Sequence, residues 1–173
     1  HIVFGPRSGG KTDELSLAPN LPPGKLQALL PIKVLSTETI RPDCSEKLNY
    51  KDNVFESRCW REELEISSDI IVDAVYHDEN PAAVRHGNTS YIATLTCDEF
   101  LIELFDHLAN ELDINTIRLP KDMRIVYRGN LAYVFNYAGH AQQFPARNIG
   151  SYLLGQADMA PYDVAIINLN IRN

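Results

Sequence analysis

Prolines at positions 19, 22 and 23 stand close behind a glycine-rich run, and they limit what the first part of this chain can become. The run is His1-Ile2-Val3-Phe4-Gly5-Pro6-Arg7-Ser8-Gly9-Gly10-Lys11-Thr12. Three apolar residues lead into Gly5-x4-Gly10-Lys11-Thr12, the spelling of a phosphate-binding loop. In such a loop backbone N–H groups wrap the phosphates, the lysine reaches the outer ones and the threonine hydroxyl holds magnesium. The loop must open directly into a helix whose N-terminus faces the phosphates. Here the prolines leave room for only about a turn and a half of helix. Leu15 and Leu17 alternate with Ser16 as in extended chain, and Asp13 and Glu14 would set two negative charges beside the phosphate. Asp73 alone could be pressed into service as the magnesium-holding carboxylate. The favoured reading is a short strand, Ile2–Phe4, followed by a turn that positions Arg7 and Lys11. A nucleotide-binding protein using residues 5–12 is the alternative.

At 173 residues the chain can hold one ordinary domain, or one and a small second one. An apolar content of 45% permits a real core. A net charge of −7 argues against nucleic acid or an anionic membrane as partner. No apolar run approaches the ~20 residues that span a bilayer. There is no signal-peptide pattern, and the start at the edge of an apparent strand reads as a piece of a longer polypeptide. Cys44, Cys59 and Cys97 are odd in number, widely spaced and lack a CxxC pair, so neither a disulfide framework nor a zinc site is expected. Reduced thiols and a cytoplasmic setting follow. His77, His86, His107 and His140 show no ligand spacing and are expected at the surface or in packing. No metal and no cofactor are expected. Asn88-Thr89-Ser90 matches a glycosylation sequon that would be idle in the cytoplasm.

Along the chain, Leu26, Leu29 and Leu30 suggest one or two helical turns between prolines. Residues 32–40 are rich in β-branched side chains and read as extended. Residues 42–53 are polar and predict a surface loop. Residues 55–66 alternate imperfectly, with Trp60, Glu62, Leu64 and Ile66 on one parity and Arg61, Glu63 and Glu65 on the other. Paired carboxylates drive glycoside hydrolysis, but neighbours on a strand point to opposite faces and only Glu63 and Glu65 share one. The Glu62, Glu63, Glu65 cluster therefore reads as a solvated strand face. Residues 69–76 form a further β run. Residues 81–86 and 90–95, joined at Gly87-Asn88, read as a hairpin.

The clearest helix follows. Thr96 is placed to cap it, with Glu99 as the reciprocal partner. Leu101, Leu104, Phe105, Leu108 and Leu112 form one apolar stripe. Strands followed by a packed helix suggest an α/β layer, although the strand–helix units are too few for a whole doubly wound sheet. Beyond Ile117-Arg118-Leu119-Pro120 the pattern is all-β. Runs at 123–127, 131–137, 142–146, 152–154 and 164–169 are separated by turns at 128–130, 138–140, 148–150 and 160–161. That predicts a small antiparallel β-sandwich. Tyr133, Phe135 and Tyr137 share a parity. Core packing is the expectation for them, and a stacking face of a carbohydrate-binding module is the alternative.

Several stretches together resemble a known family. Residues 5–12, then Leu21-Pro22-Pro23-Gly24-Lys25-Leu26-Gln27 with Leu30-Pro31-Ile32, then residues 38–42, are similar to the middle domain of glycoside hydrolase family 42 β-galactosidases. Arg128-Gly129-Asn130, Phe135-Asn136-Tyr137, Leu154-Gly155 and Pro161-Tyr162-Asp163-Val164-Ala165 resemble that family's C-terminal β-domain. The resemblance implies a partial flavodoxin-like, class I glutamine amidotransferase-like α/β layer over residues 1–118 and a β-sandwich over 119–173. It implies a retaining glycosidase whose two catalytic glutamates belong to an N-terminal barrel outside this chain. No residue here matches a catalytic position of that family. The implied role is a non-catalytic scaffold that mediates homotrimer formation beside the barrel of the same polypeptide. Arg7 and Lys11 are the candidate subunit contacts.

Overall fold

The computed structural model describes residues 1–146 and 149–169. It divides into two compact units, His1–Asp113 and a second that begins at Ile114. The first unit holds β1 (Ile2–Phe4), a 3-10 turn (Gly24–Ala28), β2 (Ile32–Glu38), β3 (Glu46–Tyr50), β4 (Asn53–Ile66) and β5 (Ile71–Tyr76). It continues with β6 (Pro81–His86), β7 (Thr89–Ile92), β8 (Thr94–Thr96) and α1 (Asp98–Glu111). One sheet runs β1-β7-β6-β5-β3-β4-β2, with β8 added beside β4.

The unit is predominantly β. A helix-covered layer is present, yet among the described pairings only β1 with β7 is parallel. The others are antiparallel, and short turns, such as Gly87-Asn88 between β6 and β7, join the sequential pairs β3–β4, β5–β6 and β6–β7 directly. β6 and β7 are covered on both faces. Ala83 and Ile92 face α1 with Phe100, Leu104 and Leu108. Their neighbours Val84 and Tyr91 face Leu30, Ile32, Val34 and Leu64. Two-sided burial leaves no polar parity, so β7 reads as continuous rather than alternating.

Three expectations need correction here. Residues 42–53 are not one surface loop: β3 pairs with both β4 and β5. Its Leu48 and Tyr50 are buried while Lys47 and Asn49 point to solvent, so the polar half of an alternating strand had masked the apolar half. The helix is capped at Cys97, not Thr96, and no side chain caps it. Thr96 is instead held in β8 opposite Ser57. The buried stripe is Phe100, Leu104 and Leu108, with Leu101 partly covered, whereas Phe105 and Leu112 are exposed. A stripe four residues apart faces the sheet, and the flanking apolar positions do not reach it.

The second unit holds β9 (Met123–Arg128), β10 (Leu131–Asn136), β11 (Gln142–Gln143), β12 (Ser151–Leu154), β13 (Asp158–Met159) and β14 (Val164–Asn168). β12-β14-β10-β9 make a four-stranded antiparallel sheet, and β11 pairs with β13. Between them Met123, Ala132, Val134, Phe144, Met159, Ala165 and Ile167 form the core. The strand expected at 142–146 is shorter, and β13 adds a partner that its two residues hardly announce. The turn expected at 148–150 includes Asn148, which lies outside the described residues. The aromatic parity of β10 is corrected too: Ala132, Val134 and Asn136 are the buried positions, while Tyr133 and Phe135 line the other face. Tyr137 is exposed, and its ring stacks on Phe135 at 5.8 Å. Buried Asn136 donates to the carbonyls of His140 and Ala160 and accepts from the Ala138 N–H, which pins the turn after β10. No helix among the described residues is long and apolar enough to cross a membrane.

Candidate functional site

Residues 5–12 leave β1 as a tight turn at the sheet. Arg7 and Gly9 both adopt left-handed backbone conformations, at φ 69° and 68°. Gly9 is required there, because a Cβ would stand 2.0 Å from the Pro23 carbonyl oxygen. After Thr12 no helix begins. Lys11 instead bridges antiparallel to Leu17. The Thr12 N–H donates to the Ser16 carbonyl at 2.9 Å, and the Leu15 N–H donates to the Thr12 carbonyl at 2.9 Å. The result is a miniature hairpin. It offers no helix N-terminus to a phosphate, so the geometry gives no support to the nucleotide reading.

Glu62 anchors the turn. It is 1% exposed, contrary to the expectation of a solvated carboxylate. Three donors reach it from three places: the Arg7 N–H at 2.9 Å, the Trp60 indole N–H at 3.0 Å and the Tyr91 hydroxyl at 2.7 Å. Burial, and then the neighbouring Glu62, hold the Tyr91 hydroxyl far above the usual tyrosine range, so Tyr91 remains a donor. The cause of the buried parity lies at Cys59, where φ is 65° and the register of β4 slips between Arg58 and Arg61. Before this bulge Phe55 and Ser57 face inward; after it Glu62 and Leu64 do. Glu63 and Glu65 do lie at the surface, paired with Ser36 and Lys33.

Between the turn, β2 and β4 lies a cleft of about 430 Å³ whose walls include Arg7, Lys11, Leu17, Pro22, Val34 and Trp60. The Arg7 guanidinium stands over the Trp60 ring, 5.1 Å from its centre. The structure therefore brings the two expected residues, Arg7 and Lys11, to one cleft. Among the described residues neither pairs with a carboxylate, whereas Arg58, Arg61 and Arg85 each do. Trp60, Glu62 and Tyr91 escaped the sequence reading as a unit. The one available signal was a charged residue sharing the parity of Trp60 and Leu64.

One further cluster has ligand geometry among the described residues: Glu46, His77 and Asp78. The Arg61 guanidinium already bridges Glu46 and Asp78, and it packs 4.2 Å from the Tyr76 ring centre. That chemistry is an ion-pair network, with the cation supplied by the protein. The described Cys44, Cys59 and Cys97 are free thiols.

Comparison with known proteins places this geometry in context. The profile of a family described as the β-galactosidase trimerisation domain matches residues 1–115. The β-galactosidase of Thermus thermophilus is 34% identical over 165 residues, which are 95% of this chain and 25% of that protein. The β-galactosidase BgaA of a Thermus species is 36% identical over 165 residues, with the same coverage of 95% and 25%. The chain thus spans about a quarter of the length of the curated relatives it matches. The crystal structure of β-galactosidase from the psychrophilic Marinomonas ef1 is similar at a TM-score of 0.87 and 24% identity, over 96% of this chain and 25% of that one. The enzyme from the Antarctic haloarchaeon Halorubrum lacusprofundi gives a TM-score of 0.85 at 24% identity, over 96% of this chain and 27% of that one. At such identities these two structural likenesses speak to fold alone.

Proposed function

The chain belongs to the β-galactosidase trimerisation-domain family, and from that premise we propose that it serves a longer β-galactosidase as a non-catalytic part that holds subunits together. The parent would cleave terminal β-galactosides in a barrel that this chain does not include, and three copies would assemble through the first unit. The observation that carries the reading is the cleft beside residues 5–12. Arg7 and Lys11 line it with no ion-pair partner among the described residues, and a buried carboxylate that also lines it, Glu62, fixes the backbone that presents them. A protein that commits a buried charge to rigidifying a surface turn gains if that turn meets something. Arg7 and Lys11 are accordingly read as subunit contacts, with the second unit as the family's small β-domain.

We further read the first unit as a reduced amidotransferase-like layer. Its parallel β1–β7 pair and the packing of α1 on the sheet support this. A cytoplasmic setting fits the free thiols. Assay of the purified chain with a chromogenic galactoside tests the non-catalytic assignment. No turnover is expected; turnover that survives contamination controls would overturn it.

A further inference from the structure

The trimerisation reading leaves open what enters the Arg7–Lys11 cleft. We propose that the occupant is the tip of the 11–17 hairpin, Asp13-Glu14-Leu15, from a second copy of this chain, so that each copy offers a plug and a socket. The inference rests on the assembly role proposed above and names the partner surface.

The hairpin tip has the features of a plug. Leu15 is 75% exposed and adopts φ 62°, a left-handed conformation that is costly for a leucine. Two carboxylates, Asp13 and Glu14, immediately precede it, and both are exposed. The tip is not loose chain. The Lys11–Leu17 bridge, the two backbone hydrogen bonds and the Thr12 hydroxyl donating to Ser16 at 3.3 Å close it into a fixed shape. A strained, hydrogen-bonded turn that presents an apolar side chain next to two acids fits a partner, because in isolation that arrangement only costs stability.

The cleft has the complementary chemistry. Leu17, Pro22, Val34 and Trp60 supply apolar wall, and Arg7, stacked on Trp60, and Lys11 supply two cations with no ion-pair partner among the described residues. Leucine matches the wall, and the two carboxylates match the two cations. Leu15, Asp13 and Glu14 are absent from the lining of the cleft on their own chain. The plug therefore belongs in another copy's socket.

Plug against socket is a heterologous contact, which closes into a ring or extends into a filament. Lys11 and Leu17 both close the hairpin and line the cleft, so plug and socket lie side by side. Three copies joined plug to socket would close such a ring.

Solution mass by light scattering, on the 173-residue chain and four variants, tests the proposal. Asp13→Lys/Glu14→Lys reverses the plug, Arg7→Glu/Lys11→Glu reverses the socket, a fourfold variant carries both reversals, and Leu15→Asp places a charge on the apolar contact. Far-UV circular dichroism and melting confirm that each is folded. Either reversal alone, or Leu15→Asp, should weaken assembly at least roughly a hundredfold, and the fourfold variant should regain the trimer, since plug and socket are again opposite in sign. A trimer indifferent to the reversals overturns the plug and socket and leaves the assembly role standing. Monomeric reversals without rescue in a folded fourfold variant also overturn the pairing. If a reversed variant does not fold, Leu15→Asp decides, and a mass equal to wild type overturns the proposal. A wild-type chain that is monomeric at every concentration overturns both this contact and the assembly role.

Discussion

Glu62 can remain under the sheet because the Arg7 N–H, the Trp60 indole and the Tyr91 hydroxyl all donate to it. Removing one donor from a buried carboxylate exposes the full cost of its desolvation. Tyr91→Phe should therefore lower unfolding stability by about 1–3 kcal/mol in denaturant titrations. Tyr50 supplies the contrast. Its hydroxyl is buried with no hydrogen-bond partner, and burial followed by the charge of Asp73 pushes its pKa up to about 12. Tyr50→Phe should leave stability within about 0.5 kcal/mol or raise it, and equal losses at both tyrosines would contradict the assignment of Glu62 as the anchor. Asp78 carries a pH signature. Burial opposes its charge, but hydrogen bonds from Arg61 and Asn80 outweigh it and hold its carboxyl below the usual range. A depressed folded value stabilises the protein above the ordinary aspartate pKa of about 3.9, and that contribution is lost as pH falls through the folded value. Melting temperature should fall on acidification from about pH 5, and Asp78→Asn should flatten part of that fall. An unchanged slope would contradict the pairing.

At the scale of elements, the turn at 5–12 depends on close backbone approach. Gly9→Ala would drive a Cβ to 2.0 Å from the Pro23 oxygen, whereas Gly87→Ala, also at positive φ, meets nothing within 4 Å. Gly87→Ala should cost about 1 kcal/mol, the conformational penalty alone, and Gly9→Ala clearly more, because Pro23 and the turn must separate. Equal melting temperatures for the two variants would show that the turn is not braced in this way. The same elements show what could be read from residues. β1, the β6–β7 hairpin and the helix were legible because periodicity and turn chemistry agreed there. β3 was not, since Lys47 and Asn49 hid Leu48 and Tyr50. Glu62 was not, although it shares the parity of Trp60 and Leu64, since two of the donors that satisfy it, Arg7 and Tyr91, come from distant parts of the chain. Register and bulges are set by partner strands, which local pattern does not contain. The β10 aromatics failed for a related reason: small Ala132 and Val134 pack with Phe144 and Met159 from distant positions, and Tyr133 and Phe135 take the other face. Arg7 and Lys11 were legible as a pair because they lie four residues apart in one glycine-rich turn, but the cleft they share needs Val34 and Trp60 from distant strands.

For the whole molecule, the family match spans residues 1–115, and the chain amounts to about a quarter of its curated relatives. Its first unit is a braced sheet on which Arg7 and Lys11, without ion-pair partners among the described residues, lie beside an exposed acidic and apolar hairpin. Such a surface is suited to self-association through specific contacts rather than through a large apolar face. Salt should weaken assembly, since the proposed contacts include charges at a partly open cleft. The central claim is that this surface holds three copies together. Light scattering on the purified chain across a concentration series tests it most directly. The account predicts three chain masses of 19.5 kDa each, persisting on dilution until a defined midpoint; a mass of one chain throughout would contradict it.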